Sequence, residues 1–202
     1  MPFELSVSLV ITVIIAYFLG NISPSTLLAR ARGMDIKKVG SGNAGTTNTL
    51  RVLGAKAALI TLVIDIGKGV LAVLIGRFAA GEGAAMFCAV FVFLGHVWPL
   101  LLRFQGGKGV ATAFGASVAL DWRIGLLALV IVAVTVLISR HVSLGSILGA
   151  VSFPFLAYFF KPDFLILACI MAAVVIFKHR SNIGRLVRGE ESTISLSWFK
   201  KK

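Results

Sequence analysis

The sequence predicts an all-α integral membrane protein of about seven transmembrane helices, with its N-terminus outside and its C-terminus in the cytoplasm. Three observations carry that expectation. Hydrophobic residues make up 58% of the 202 residues and charged ones only 14%, where a soluble domain averages about a quarter charged. Mean hydropathy is +0.97, and long apolar runs recur along the whole chain, so lipid rather than water is the solvent for most of it. The basic residues between these runs fall on alternate loops.

The runs lie near 5–29, 55–76, 84–102, 109–120, 124–139, 141–160 and 163–178. The first has Glu4 before it, no basic leader and no small-x-small cleavage site, so it reads as a retained helix rather than a signal peptide. Several runs are shorter than the roughly 20 residues a perpendicular crossing needs. The shortest, 109–120, lies between "RFQGGKG" and "DWR", and it either crosses, thins the bilayer or re-enters. Cys88 and Cys169 both sit inside apolar runs, where a small buried thiol is expected and no disulfide framework exists. The whole chain, 1–202, reads as a single polytopic membrane domain.

Charge selects seven crossings. With seven, Arg30, Arg32, Lys37, Lys38, Arg51 and Lys56 share one side with Arg103, Lys108, Arg140 and the basic run from Lys178 to Lys202. The other side receives only Arg77, Arg123 and Lys161. The positive-inside rule places the richer side in the cytoplasm. An even number of crossings would scramble the sorting.

The bases, 20 against 8 acids, admit nucleic acid, anionic lipid or phosphorylated partners. Their dispersal between apolar runs leaves no basic domain to grip a duplex, so nucleic acid is not an expected partner; membrane lipid is. Every polar or glycine-rich stretch falls on the cytoplasmic side, which is where the chemistry is expected.

The first such stretch, "GSGNAGTTN", spans Gly40, Ser41, Gly42, Asn43, Ala44, Gly45, Thr46, Thr47 and Asn48. Glycine-rich backbone lets successive N–H groups converge on an anion ahead of a helix N-terminus. Arg51 follows and can take a phosphate bidentately. An ordinary turn between two helices is the competing reading. In the second, "FQGGKGVAT", Lys108 stands among Gly106, Gly107 and Gly109 at the start of the next run. That suits phosphate, although the G-x-x-x-x-G-K-[ST] spacing is absent. Upstream, Trp98 fits an interfacial belt, and His96 is open between a structural and a functional role. The third, "KHRSNIGRLVRGEE", supplies His179, Asn182, Arg185, Arg188, Glu190 and Glu191. If helical throughout, residues 178, 182 and 185 share one face. A basic flank meeting headgroups explains its arginines but not its His and Asn.

Asp65 and Lys68 lie mid-run at an i,i+3 spacing. Charges at that depth demand a partner, and a structural ion pair between them is the favoured reading. No His is followed by an H-x-x-x-x-D pattern, and neither a G-x-S-x-G elbow nor paired aspartates for metal-dependent phosphotransfer are present. The inventory fits phosphate binding without metal or cofactor.

Together "GSGNAGTTN", "GHVWP…FQGGKGVAT" and "HRSNIGRLVRGEE" resemble the bacterial membrane glycerol-3-phosphate acyltransferases that use acyl-phosphate as donor. The resemblance covers the whole chain with the motifs in order. It implies transfer of the acyl chain to the 1-hydroxyl of sn-glycerol 3-phosphate, giving 1-acylglycerol 3-phosphate (lysophosphatidate) and phosphate. It also implies a bacterial inner-membrane location, a cytoplasmic active site and contact with the enzyme that makes the acyl-phosphate. Carried over, Ser41, Arg51, Lys108, His179 and Asn182 are catalytic. Gly40, Gly42, Asn43, Gly45, Thr46, Asn48, Gly106, Gly107 and Gly109 bind substrate, with Ser143 and Ser146 of "HVSLGS" lining the pocket. Glu190 or Glu191 braces the fold. Both substrates carry phosphate and the donor is already an activated anhydride, so positioning and oxyanion stabilisation suffice without a protein nucleophile.

Overall fold

The computed structural model describes residues 6–194, and all regular structure among them is helical. Lys200, Lys201 and Lys202 lie outside the described residues. The first apolar run is not one helix but two, α1 (Val7–Gly20) and α2 (Pro24–Arg30). Ser6 caps α1 by accepting Leu9 N–H at 3.2 Å. The break follows from Asn21, whose Nδ2 donates to Tyr17 O at 2.7 Å and whose Oδ1 accepts Leu101 N–H at 3.0 Å. Pro24, lacking an N–H, then restarts the helix.

A short helix α3 (Thr46–Leu53) leads into α4 (Ala55–Val97). That 43-residue helix is broken at Gly81, where φ is 83°, a value only glycine adopts without strain. Its arms, 55–80 and 82–97, fold back on each other. Lys68 on one arm reaches His96 on the other at 2.8 Å, and a Cβ on Gly76 would strike Ala84 and Cys88. The third run ends earlier than its hydropathy suggests, at Val97, followed by a 3-10 turn over Leu100–Leu102. Next come α5 (Val110–Leu120), α6 (Trp122–Ser139), α7 (Val142–Phe160), α8 (Leu165–Lys178) and α9 (Arg180–Val187).

The core is built from small side chains, among them Ala16, Ala72, Ala85, Ala89, Ala116 and Ala168, around Phe93 and Phe164. Between helices in lipid no hydrophobic force acts, so close approach of backbones carries the packing. Gly20 meets Gly95 where α1 crosses α4, and Gly115 of α5 rests on Ile66 of α4; a Cβ at either would enter the facing backbone. The outer surface is the inverse of a soluble one. Phe78, Leu137 and Ile138 are 80–83% exposed, which is tolerable only against hydrocarbon. Cys169 also faces outward, correcting its expected burial, while Cys88 is buried.

Among the described residues four helical stretches are long and apolar enough to cross a bilayer, five if the pair α8–α9, bent by 56°, counts as one; Val110–Leu120 is shorter. The chain turns at two ends of the bundle. At one end Arg77 Nε binds Glu82 at 2.8 Å, Lys161 binds the same carboxylate at 2.6 Å, and Arg77 also donates to Leu120 O. The turns near 81, 121 and 161 therefore meet there. All the glycine-rich stretches gather at the other end. With 11 residues, α5 is only about 16 Å long, yet it joins the two.

Candidate active site

Three segments converge at the glycine-rich end. In the first loop Gly40 and Gly42 take φ of 60° and 68°, and the turn delivers Gly45 as the N-cap of α3. Asn48 holds this turn closed. Its Oδ1 accepts Ser41 N–H at 2.8 Å, and its Nδ2 donates to Val39 O at 3.1 Å and Ile36 O at 3.3 Å. Its side chain is buried and shapes the loop, and Asn48 also lines the cavity described below.

The second loop is tied on several sides. Tyr17 Oη donates to Trp98 O at 2.8 Å, Gly107 N–H donates to His96 O at 3.1 Å, and Lys37 Nζ donates to Gly106 O at 2.6 Å. Gly109, at φ 81°, starts α5, and a Cβ there would strike the Phe93 ring. These constraints aim Lys108 across the gap, where its Nζ donates to Asn182 Oδ1.

The third segment is not a continuous helix. It breaks at His179, so residue 178 shares no face with 182 and 185. His179 Nδ1 donates to Val175 O at 2.8 Å, which fixes its neutral tautomer and leaves Nε2 as an acceptor. Asn182 Nδ2 donates to Glu191 Oε1 at 2.5 Å, and Arg185 Nε to Glu191 Oε2 at 2.6 Å. Glu191 is therefore the brace. The Glu190 carboxylate pairs with the exposed Arg188 at 2.7 Å, too wet a pair to contribute much.

The electrostatics suit an anion. Burial, with Arg185, Lys178 and Arg51 nearby, brings Lys108 down from 10.5 to about 8 against the opposing pull of Glu191. Burial and Lys178 bring Lys37 to about 8 as well. Burial and the Lys108 charge lower His179 to about 4. Burial pushes the Glu191 carboxyl up, but the side chains of Asn182, Ser143 and Arg185 outweigh it and hold it below its ordinary value.

A cavity of about 730 Å³ joins the three segments. Its polar end is walled by Gly40, Ser41, Asn43, Gly45, Thr46 and Arg51, then by Lys108, Gly109, Ser143, Ser146, His179 and Asn182. Thr46 Oγ1 is buried there without a hydrogen-bond partner among the described residues, a cost normally met by a ligand or water. Ser146 Oγ instead donates to Val142 O at 2.9 Å. Gly42, Gly106 and Gly107 stand off the cavity wall. Gly106 and Gly107 pack against the His96 carbonyl and ring, where no Cβ fits, so they shape the loop from behind.

Beyond the polar end the cavity runs into the bundle between α5, α6, α7 and α8. It passes Val110, Phe114, Val132, Gly149, Phe153 and Met171 and reaches Gly125. Gly125 lies 15 residues from Arg140 along α6, about 22 Å of helix, against a hydrocarbon core of ~30 Å. The tail went unseen in the sequence because its residues are individually indistinguishable from lipid-facing ones. Asp65 and His96 also reach the cavity wall, and only the fold-back of α4 brings them together. One end of this space can hold phosphate oxygens, and the other can hold an alkyl chain.

Known proteins agree with that division. The family model described as glycerol-3-phosphate acyltransferase matches residues 10–189. The glycerol-3-phosphate acyltransferase of Thermoanaerobacter pseudethanolicus is 45% identical over 92% of this chain and 95% of its own length. That of Clostridioides difficile is 44% identical over 93% and 96% respectively. The crystal structure of PlsY, an integral membrane glycerol 3-phosphate acyltransferase, in its glycerol 3-phosphate form superposes with a TM-score of 0.91 at 33% identity, over 96% of this chain and all of that one. Its lysophosphatidic acid form gives 0.86. Sequence, fold and a cavity with one phosphate-suited end thus coincide, and the chain belongs to the family of integral membrane glycerol-3-phosphate acyltransferases.

Proposed function

We propose that the donor is acyl-phosphate and that its acyl chain passes to the 1-hydroxyl of sn-glycerol 3-phosphate, the first acylation of phospholipid synthesis. The observation that carries this is a continuous cavity with a cationic, donor-rich end and an apolar tail. An acyl-phosphate is itself phosphate at one end and alkyl chain at the other. The polar end has room in its chemistry for a second phosphate, because Arg51, Lys108, Thr46 and Ser143 all reach it. Binding of glycerol 3-phosphate and lysophosphatidic acid by PlsY supports the same assignment.

In this reading the 1-hydroxyl oxygen attacks the acyl carbon, and the anhydride C–O bond breaks. The electron pair leaves on inorganic phosphate. Lys108, held by Asn182, and Arg51 neutralise phosphate charge, and Ser41, Asn43 and the loop glycines supply donors. The hydroxyl proton passes to a phosphate oxygen of the substrates. His179, neutral with a free Nε2, helps to orient the acceptor. Glu191 acts through Asn182 and Arg185. The Asp65–Lys68 pair is structural, and the whole chain works as one domain.

The reading places seven crossings in a bacterial inner membrane, with the N-terminus outside and the site at the cytoplasmic face. The segregation of turns to two ends and the basic charge at the site end favour it. The enzyme that makes acyl-phosphate is then the partner expected at that face. The test is turnover by purified protein given acyl-phosphate and labelled glycerol 3-phosphate. Labelled lysophosphatidate with equal phosphate release supports the proposal, and product formed equally well from acyl-CoA contradicts it.

A further inference from the structure

Three ionisable side chains meet below the site in a space almost closed to solvent. Asp65, Lys68 and His96 are 2%, 5% and 6% exposed. Lys68 Nζ lies 2.8 Å from Asp65 Oδ1, 2.8 Å from His96 Nδ1, 2.6 Å from Ile22 O and 3.1 Å from Gly20 O. Charges buried at this depth are costly unless each is matched, and here four acceptors surround three ammonium protons. The cluster does more than satisfy itself. The two carbonyls belong to the break between α1 and α2, so Lys68 ties that break to both arms of α4.

The cluster also fixes the state of His96. His96 Nδ1 lies 3.3 Å from Asp65 Oδ1 but closer, 2.8 Å, to Lys68 Nζ. An ammonium only donates, so in the shorter contact Nδ1 accepts. The neutral ring therefore carries its proton on Nε2. That edge does not face the cluster. A Cβ on Gly107 would fall on His96 Nε2 and on Ala44 O together, so the ring edge, Gly107 and the Ala44 carbonyl meet at one point. The His96 carbonyl also accepts Gly107 N–H at 3.1 Å. Ala44 belongs to the first glycine-rich loop, and Gly107 to the second, directly before Lys108.

We propose that His96 is a positioning residue, locked by Lys68 in its Nε2–H form. In that form its ring edge clamps Gly107 against Ala44 and sets the two glycine-rich loops at the spacing that receives phosphate. This rests on the functional reading above and deepens it. Lys68 acts on the site only through His96, and Asp65 holds Lys68.

The test has two arms on the full chain. In histidine ¹⁵N NMR of the wild-type protein, the signal of His96, one of three histidines, is assigned by its disappearance in His96→Gln. Nε2 should be protonated and Nδ1 bare. The second arm compares His96→Gln, whose amide N–H reaches the Nε2 position, with His96→Asn, which reaches only Nδ1. The Gln variant should keep KM for glycerol 3-phosphate within about threefold of wild type, and the Asn variant should raise it about tenfold or more, at matched melting temperature. A proton on Nδ1, or equal KM in the two variants, overturns the proposal. If the wild type itself does not turn over acyl-phosphate, the functional reading falls, while the NMR arm still decides the tautomer.

Discussion

Lys108 Nζ donates to Asn182 Oδ1, and the amide nitrogen of the same Asn182 donates to Glu191 at 2.5 Å. One asparagine thus links the second glycine loop to the far end of the chain, using both faces of its amide at once. Because the amide cannot turn without losing both bonds, Lys108 is held in one direction before any substrate arrives. Preorganised charge of this kind is worth more than the same charge on a mobile stem.

Lys108→Met is expected to lower kcat/KM on the order of 100-fold with little change in melting temperature, since it removes a donor aimed at phosphate. Asn182→Asp should be nearly as harmful. It keeps an acceptor for Lys108 but sets a carboxylate against Glu191. Steady-state kinetics with acyl-phosphate check both.

The lowered lysine gives a pH signature. With Lys108 at about 8 in the empty site, its ammonium is lost as pH rises through 8 unless phosphate is bound. KM for glycerol 3-phosphate should be flat below pH 8 and rise above it, up to about tenfold per pH unit, while kcat at saturation stays level. Stability should move the opposite way. Between about 8 and 10.5 the unfolded chain holds more protons on Lys37 and Lys108 than the folded one, so the empty protein becomes more stable with pH across that window. Thermal melts from pH 7 to 10 read this directly.

His179 contributes no limb near pH 6–7, because burial and Lys108 hold it at about 4 and it stays neutral throughout. His179→Ala should chiefly raise KM. A kcat limb between pH 6 and 7 that vanishes in the variant would reinstate this histidine as the base.

Glu191→Ala should cost about 2–3 kcal/mol of stability, since Asn182 and Arg185 each lose a charged hydrogen bond, whereas Glu190→Ala should cost little. The Glu191 carboxyl is lowered in the folded state. Its contribution is therefore complete above the unfolded value of about 4.3 and is lost as pH falls through the folded value. Melting temperatures of the two variants in detergent separate them.

Bulk added to the apolar tail should change donor choice rather than abolish turnover. Ala150→Phe, on the cavity wall of α7, is expected to lower kcat/KM for palmitoyl phosphate at least about tenfold more than for octanoyl phosphate. Competition between the two donors checks it.

Much of this site was legible in the sequence, and the exceptions have physical reasons. The three polar stretches stood out because glycines, amides and bases are costly at a membrane boundary without a task. Asn43 and Asn48 both reach the cavity wall, but residue type alone did not show that Asn48 also holds its own loop closed; that takes the position of the backbone groups around it. The pairing of Asp65 with Lys68 followed from i,i+3 spacing, but His96 is 28 residues from Lys68 and joins them only because Gly81 turns α4 back on itself. The break at Asn21 was hidden for a similar reason. A long apolar run reads as one helix, and what ends it is a distant N–H, that of Leu101.

The most direct measurement is acyl transfer by the purified full chain, with labelled glycerol 3-phosphate and acyl-phosphate, acyl-CoA or acylated acyl carrier protein offered in turn. Lysophosphatidate formed from acyl-phosphate alone, with one phosphate released per product, is the predicted result. Equal product from either thioester, or uptake of glycerol 3-phosphate into vesicles with no lysophosphatidate made, would contradict the account.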